Sequence, residues 1–279
     1  MKLPVRLIAV DIDGTLLDSR FQVSDKNRAA LRRAHDMGID VVLTTGRRFA
    51  FALPVARELG FDLWLISSNG AITKSTRGEL FYRDLLPASV ARRVVAHMAA
   101  FRGSTVVTFD LEERGALVIE GAAEELNASV SRWMEKNAEF IQQVSSLEQA
   151  ITTDPVQVMF CGRIPRMNEA ETELAGGGFN GEITVLKTQY EARNLCIMDV
   201  LNGNCTKAHA LQRWIAHRGI RRSEVMAIGD NYNDVEMLEF AGIPFIMENA
   251  CEELKQNGWR ITLTNDQSGV AAALEAMGI

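Results

Sequence analysis

A chain of 279 residues is long enough for two domains of ordinary size. Hydrophobic residues make up 47 % of it and charged residues 24 %, the balance of a globular protein that buries a full core. Its 36 Asp+Glu against 30 Lys+Arg leave a formal net charge of -6, which argues against a nucleic-acid partner but leaves room for a small phosphorylated ligand at a local basic cluster.

In chain order, Leu7–Val10 is a continuous apolar run, as expected of a strand buried on both faces. Ser24 is a helix N-cap before Ala29, Ala30, Leu31 and Ala34, and Gly38 stops that helix. Val41–Leu43 predicts a second strand, Phe49–Leu59 a helix ended by Gly60, and Leu63–Ile66 a third strand. This rhythm implies a parallel sheet with right-handed crossovers. The rhythm returns late in the chain, with strands at Val225–Ile228, Phe245–Met247 and Ile261–Leu263 and helices at Asp234–Phe240 and Gly269–Met277. Between them the pattern changes. A helix at Ser89–Ala100 is followed by strand-like pieces at Thr105–Phe109 and Ala116–Ile119. Then come a helix near Glu124–Lys136, a strand at Val156–Cys161, a helix near Asn168–Leu174, and strands near Glu182–Leu186 and Asn194–Met198. Strands in adjacent pairs with interspersed helices indicate an α+β module. The expected organisation is an α/β, Rossmann-like core from residues 1–83 and 191–279, with an α+β domain at 84–190 inserted into it.

The four cysteines, Cys161, Cys196, Cys205 and Cys251, form no CxxC pair and have no histidine at finger-like spacing. They read as reduced apolar fillers rather than zinc ligands. No apolar stretch approaches the roughly 20 residues of a membrane span. Met1–Val10 lacks the features of a signal peptide, so a soluble cytoplasmic protein without a membrane partner is expected.

Four segments carry chemistry. Asp11-Ile12-Asp13-Gly14-Thr15 ends the first strand, at the sheet edge where open α/β folds bind ligands. Two carboxylates two residues apart project the same way and, unpaired, repel each other, which invites a divalent cation. Thr44-Thr45-Gly46-Arg47 follows the second strand with a hydroxyl and backbone N–H groups ahead of a helix, an arrangement suited to phosphate. Lys207 sits in the first turn of a helix, where the dipole disfavours a cation by a few tenths of a kcal/mol unless an anion is bound nearby. Gly229-Asp230-Asn231-Tyr232-Asn233-Asp234 follows a strand and brings two more acids to the same edge. An EF-hand loop is excluded there, because Tyr232 stands where an oxygen ligand belongs and Val235 where Gly is required. Gly176-Gly177-Gly178 lacks both the preceding strand and the following Lys-Ser/Thr of a phosphate loop.

Together these segments resemble the four signatures of the haloacid dehalogenase superfamily of phosphatases. Ser68-Asn69-Gly70-Ala71, the insertion after it and Asn249-Ala250 resemble its Cof-type subfamily. The resemblance implies Mg²⁺ as cofactor and a small phosphorylated metabolite, such as a sugar phosphate, as substrate. It implies that Asp11 is a nucleophile that becomes an aspartyl-phosphate, and that Asp13 is the general acid and base. Ile12, Thr45, Gly46, Lys207 and Asn233 would hold the phosphoryl group. Asp11, the Asp13 carbonyl and Asp230 would hold the metal, with Asp234 steadying the site. The inserted domain would act as a lid that sets specificity, and Arg47, Arg193 and Asn194 are candidate substrate contacts. Two departures stand out: Asn204 replaces a frequent Gly before Lys207, and Glu248 precedes Asn249 where a small residue is common. A phosphomutase of the same superfamily and a metal-binding regulator without turnover are the alternatives. An ion pump is excluded by the lack of spans.

Overall fold

The computed structural model describes residues 5–121 and 128–279. The chain divides into two compact units, one made by Met1–Arg83 with Thr206–Ile279 and the other by Asp84–Cys205. Among the described residues the strands, in chain order, are β1 (Leu7–Asp11), β2 (Asp40–Thr44), β3 (Trp64–Ser67), β4 (Ile72–Ser75), β5 (Leu80–Arg83), β6 (Thr105–Thr108), β7 (Leu117–Glu120), β8 (Ile141–Val144), β9 (Gln157–Gly162), β10 (Ile183–Tyr190), β11 (Leu195–Asn202), β12 (Val225–Gly229), β13 (Ile243–Ile246) and β14 (Arg260–Ile261).

In the first unit an eight-stranded sheet runs in the order β14-β13-β12-β1-β2-β3-β4-β5. From β14 to β3 every pairing is parallel. Successive residues of β1 face opposite layers. Ile8 and Val10 pack with Leu31, Val55 and Leu274, from the helices Asp25–Asp36, Phe49–Glu58 and Gly269–Met277. Leu7 and Ala9 pack with Leu211 and Trp214 of Lys207–Arg218 and Leu238 of Val235–Phe240. Leu7, Ile8, Ala9 and Val10 have no exposed surface, which is why the run reads as continuously apolar. Each buried Leu or Ile contributes about 1.5–3 kcal/mol. Ser24 caps its helix as expected, its hydroxyl accepting from the Asn27 N–H at 3.2 Å.

The sheet is mixed rather than wholly parallel, because β4 and β5 add an antiparallel hairpin beyond β3. The segments Ile72-Thr73-Lys74-Ser75 and Leu80-Phe81-Tyr82-Arg83 are four residues each, too short for an alternating pattern to stand out. The edge strand β14 holds only Arg260–Ile261, shorter than expected.

The second unit contains a six-stranded sheet in the order β10-β11-β9-β6-β7-β8. Val107, Val158, Phe160 and Met198 pack on one face with residues of the helices Ala88–His97 and Ile164–Ala175. Leu117 and Met159 face the other side, with Trp133 of the helix Ala128–Lys136 against them. Residues 124–127 of the helix expected near Glu124–Lys136 lie outside the described residues. This unit continues to Cys205 rather than ending at residue 190. The cause is β11, which pairs with β10 on one side and β9 on the other and so holds the chain in this sheet to Asn202. Among the described residues no helix is long and apolar enough to cross a membrane. The four cysteines are not in disulfides, and Cys196 and Cys205 are buried.

Candidate active site

β1 delivers Asp11 to the carboxyl edge of the sheet, where it is 5 % exposed. The chain turns at once: the Ile12 carbonyl accepts from the Leu16 and Leu17 N–H groups at 3.1 and 2.9 Å, while the Ile12 side chain is fully buried. Gly14 adopts φ 82, and a Cβ there would lie 2.3 Å from Asp230 Oδ2. Glycine is therefore required both for the backbone and for the close approach of the Asp230 loop. The Thr15 hydroxyl crosses the same gap and donates to Asp230 Oδ1 at 2.8 Å. From the other side Asn249 Nδ2 donates to the Gly14 carbonyl at 2.8 Å, while Asn249 Oδ1 accepts from the Asn265 N–H at 2.9 Å. Asp13 points at Arg47, whose Nε and Nη2 each donate to one of its carboxylate oxygens at 2.6 Å.

Lys207 opens the helix Lys207–Arg218 with its side chain 0 % exposed. Its Nζ donates to Asp11 Oδ1 and to Asp234 Oδ1, both at 2.6 Å. The second Asp234 oxygen accepts from the N–H groups of Asp230 and Asn231 at 3.1 and 3.2 Å, which fixes the loop after β12. Thus the cation disfavoured by its own helix end is held by two carboxylates.

After β2, Thr45 is tied by its N–H to the Ile66 carbonyl at 2.9 Å, and its carbonyl accepts from the Asn69 N–H at 2.9 Å. The Thr45 hydroxyl accepts from the Arg47 N–H at 3.0 Å. Asn69, fully buried with φ 53, accepts at Oδ1 from Asn233 Nδ2 at 2.9 Å. A Cβ on Gly46 would come within 3.2 Å of that same Asn69 oxygen. Asn69 and Asn249 lie in segments that the sequence pattern singles out, yet their positioning roles emerge only from these contacts. Both bridge loops far apart in the chain.

Oxygens of Asp11, Asp230 and Asp234 lie within 4.8 Å of one another. Burial, with the Asp234 charge adding to it, pushes the Asp11 carboxyl up to about 7 against the opposing pull of Lys207. Burial and the charges of Asp11 and Asp234 also raise Asp230 well above the carboxylate range. Burial works against the Lys207 ammonium, but Asp11 and Asp234 overcome it and hold its pKa above the ordinary value. Three carboxyls gathered round one ammonium, two of them raised by burial and by their neighbours' charge, form a set of hard oxygen donors that a divalent cation would complete, which fits Mg²⁺. Asp11 and Asp230 of the expected metal set fall in this cluster together with Asp234, while the Asp13 carboxylate is turned to Arg47.

The remaining candidates, Arg193 and Asn194, belong to the turn between β10 and β11 in the second unit. The Arg193 guanidinium lies 5.6 Å from the Tyr190 ring centroid, and Asn194 Oδ1 accepts from the Ile164 N–H at 3.2 Å. Asn204 takes the left-handed conformation a glycine would supply, with φ 62. Glu248 is exposed and pairs with Lys255 at 3.3 Å, so it adds no charge to the cluster.

The model of the haloacid dehalogenase-like hydrolase family matches residues 8–274. The chain is 31 % identical to Phosphatase YwpJ of Bacillus subtilis, over 96 % of this chain and 98 % of that protein. It is 28 % identical to the HMP-PP phosphatase of Shigella boydii, over 90 % of each. Among solved structures, a haloacid dehalogenase-like hydrolase from Bacteroides thetaiotaomicron matches with a TM-score of 0.78 and 31 % identity, covering 98 % of this chain and 99 % of that one.

Proposed function

We propose that this chain, which belongs to the haloacid dehalogenase-like hydrolase family and is a phosphatase, is a Mg²⁺-dependent phosphomonoesterase acting on small phosphorylated metabolites, sugar phosphates or similar. Asp11 carries the phosphoryl group between two half-reactions. An Asp11 oxygen attacks phosphorus, the bond from phosphorus to the leaving oxygen breaks, and Asp13 gives its proton to that oxygen. Asp13 then takes a proton from water, whose oxygen attacks phosphorus, and the bond to Asp11 breaks. A carboxylate is a competent covalent nucleophile. Phosphoryl transfer depends chiefly on placed positive charge. Lys207 supplies that charge beside Asp11. Thr45, Asn233 and the backbone of Ile12 and Gly46 offer hydrogen bonds to the phosphoryl oxygens. Mg²⁺, held by Asp11, Asp230 and the Asp13 carbonyl with Asp234 behind them, would neutralise charge on the transferred group.

The observation that carries this reading is the buried contact of Lys207 with Asp11 and Asp234, 2.6 Å to each, beside a third carboxylate. A purely structural salt bridge needs no third acid, and burying one without a counter-ion is costly. A relative named for hydrolysing HMP-PP supports a small-molecule substrate. The second unit, which rejoins the first one residue before Lys207, is assigned the choice of leaving group.

The test is a screen of purified protein, first stripped with EDTA, across phosphorylated sugars, nucleotides and cofactors with and without added Mg²⁺. Hydrolysis restored by Mg²⁺ and poorly by Ca²⁺, whose larger and looser shell misplaces the reacting oxygens, is the expected result. Full activity without added metal would refute the site as described.

A further inference from the structure

We propose that Arg47 is the positioning residue for the general acid Asp13, and that its part in the reaction lies in the proton transfer to the leaving group rather than in capture of phosphate. This rests on the roles proposed above for Asp11 and Asp13. The geometry is specific. Arg47 reaches Asp13 across 34 residues of sequence and meets both carboxylate oxygens, Nε on one and Nη2 on the other, each at 2.6 Å. A guanidinium fork matched to a carboxylate in this way fixes the plane and direction of the acid, which a point charge such as lysine cannot do. Both side chains are about three-quarters buried, at 26 % exposure each, so the pair is only partly screened by solvent.

The rest of the site explains why such a fixture is needed. Asp11 is held by Lys207, Asp234 by Lys207 and two backbone N–H groups, and Asp230 by Thr15. Asp13 sits next to a glycine turn, and Arg47 is what aims its carboxylate away from the three-acid cluster. The base of Arg47 is itself anchored, since its N–H donates to the Thr45 hydroxyl at 3.0 Å and its carbonyl accepts from the Ser68 N–H at 2.8 Å. With both Asp13 oxygens engaged, proton delivery requires one of the two hydrogen bonds to open while the other keeps the carboxyl in place. A two-pronged partner provides for that; a single-pronged one does not.

The discriminating experiment is a leaving-group series. Rates are measured with p-nitrophenyl, phenyl and p-methoxyphenyl phosphate for the wild type, Arg47→Met, Arg47→Lys and Asp13→Asn, with inhibition by inorganic phosphate as a separate readout. A good leaving group needs little protonation, and acid catalysis is worth about 10²–10⁴ where it is needed. Arg47→Met should therefore lose less than about tenfold on p-nitrophenyl phosphate and about a hundredfold on p-methoxyphenyl phosphate. Its inhibition constant for inorganic phosphate should move less than about threefold, and Arg47→Lys should fall between wild type and Arg47→Met. A uniform loss across the series with weakened phosphate inhibition would make Arg47 a phosphate contact and overturn the proposal. No loss at all would make the pair a bystander and overturn it equally. If Asp13→Asn itself shows no dependence on the leaving group, the general-acid role fails and this inference falls with it. A steep Asp13→Asn profile beside a flat Arg47→Met profile sinks the positioning role alone.

Discussion

The two units handle buried polarity in opposite ways. In the second unit the buried polar groups meet neutral hydrogen-bond partners rather than gathering charge: Gln157 Nε2 donates to Asp199 Oδ1 at 2.7 Å, and the Thr105 hydroxyl donates to the Phe101 carbonyl. Its charges are matched nearer the surface, as where Arg102 meets Glu120 and Glu148. In the first unit the carboxyl edge of the sheet gathers Asp11, Asp230 and Asp234 around a single ammonium, in a setting where burial raises two of the acids. A fold selected for stability alone has no use for such an excess, because buried charge is costly unless it is compensated. The difference separates a region that stabilises itself from one that is completed by a ligand.

The strongest way to break the comparison is to remove the nucleophile. Asp11→Asn keeps the shape and removes one negative charge. It should abolish turnover while leaving the fold intact, with no loss of stability in the metal-free protein. Activity within tenfold of wild type, or a collapsed fold, would show that the acids at this edge are structural. Removing the lone cation should do the reverse. Lys207→Met leaves Asp11 and Asp234 buried and facing each other, and should cost about 3–5 kcal/mol of stability in addition to activity. A denaturant melt that moves by less than about 1 kcal/mol would mean that the pair is far better solvated than its burial indicates.

A third expectation sharpens the contrast through pH. The Asp11 carboxyl is raised from 3.8 to about 7, so the folded metal-free chain keeps a proton that the unfolded chain releases. The stability this contributes is fully present below about pH 4 and is lost as pH rises through about 7. Bound Mg²⁺ should restore it, giving about 2.7 kcal/mol when the metal is at a hundred times its Kd. Thermal melts with and without Mg²⁺ should therefore separate more at pH 8 than at pH 5; equal separation at both values would contradict the assignment. The smallest effects belong to the second unit. Arg193→Ala and Asn194→Ala should shift KM between sugar phosphates by less than about tenfold and leave p-nitrophenyl phosphate almost untouched. Asn194→Ala should also cost about 1 kcal/mol through the orphaned Ile164 N–H. An unchanged substrate ranking in both variants would remove these residues from the specificity account.

Much of the first unit is legible in the sequence because three of the four site segments follow strands of its sheet that are buried on both faces. Apolar runs such as Leu7–Val10 and Val225–Ile228 announce the strands, and the polar break after each announces the edge. The strands of the hairpin β4–β5 are four residues each, too short for their pattern to be seen. The extent of β11 was hidden because Leu195–Asn202 mixes Asp199 and Asn202 into its apolar run, and only pairing with β9 and β10 reveals where it stops. Asn69 and Asn249 act through contacts with residues more than 160 positions away, and no local spacing encodes such contacts. The Asp13–Arg47 fork is hidden for the same reason, although both residues lie in segments marked for chemistry.

The most direct measurement of the central claim is chemical trapping on Asp11. Enzyme turning over p-nitrophenyl phosphate with Mg²⁺ is quenched in acid and reduced with borohydride, which converts an acyl phosphate of aspartate to homoserine. The peptides are then read by mass spectrometry. The account predicts homoserine in the peptide that carries Asp11, dependent on substrate and on Mg²⁺. Reduction at another carboxylate, or none in enzyme shown to be turning over, would contradict it.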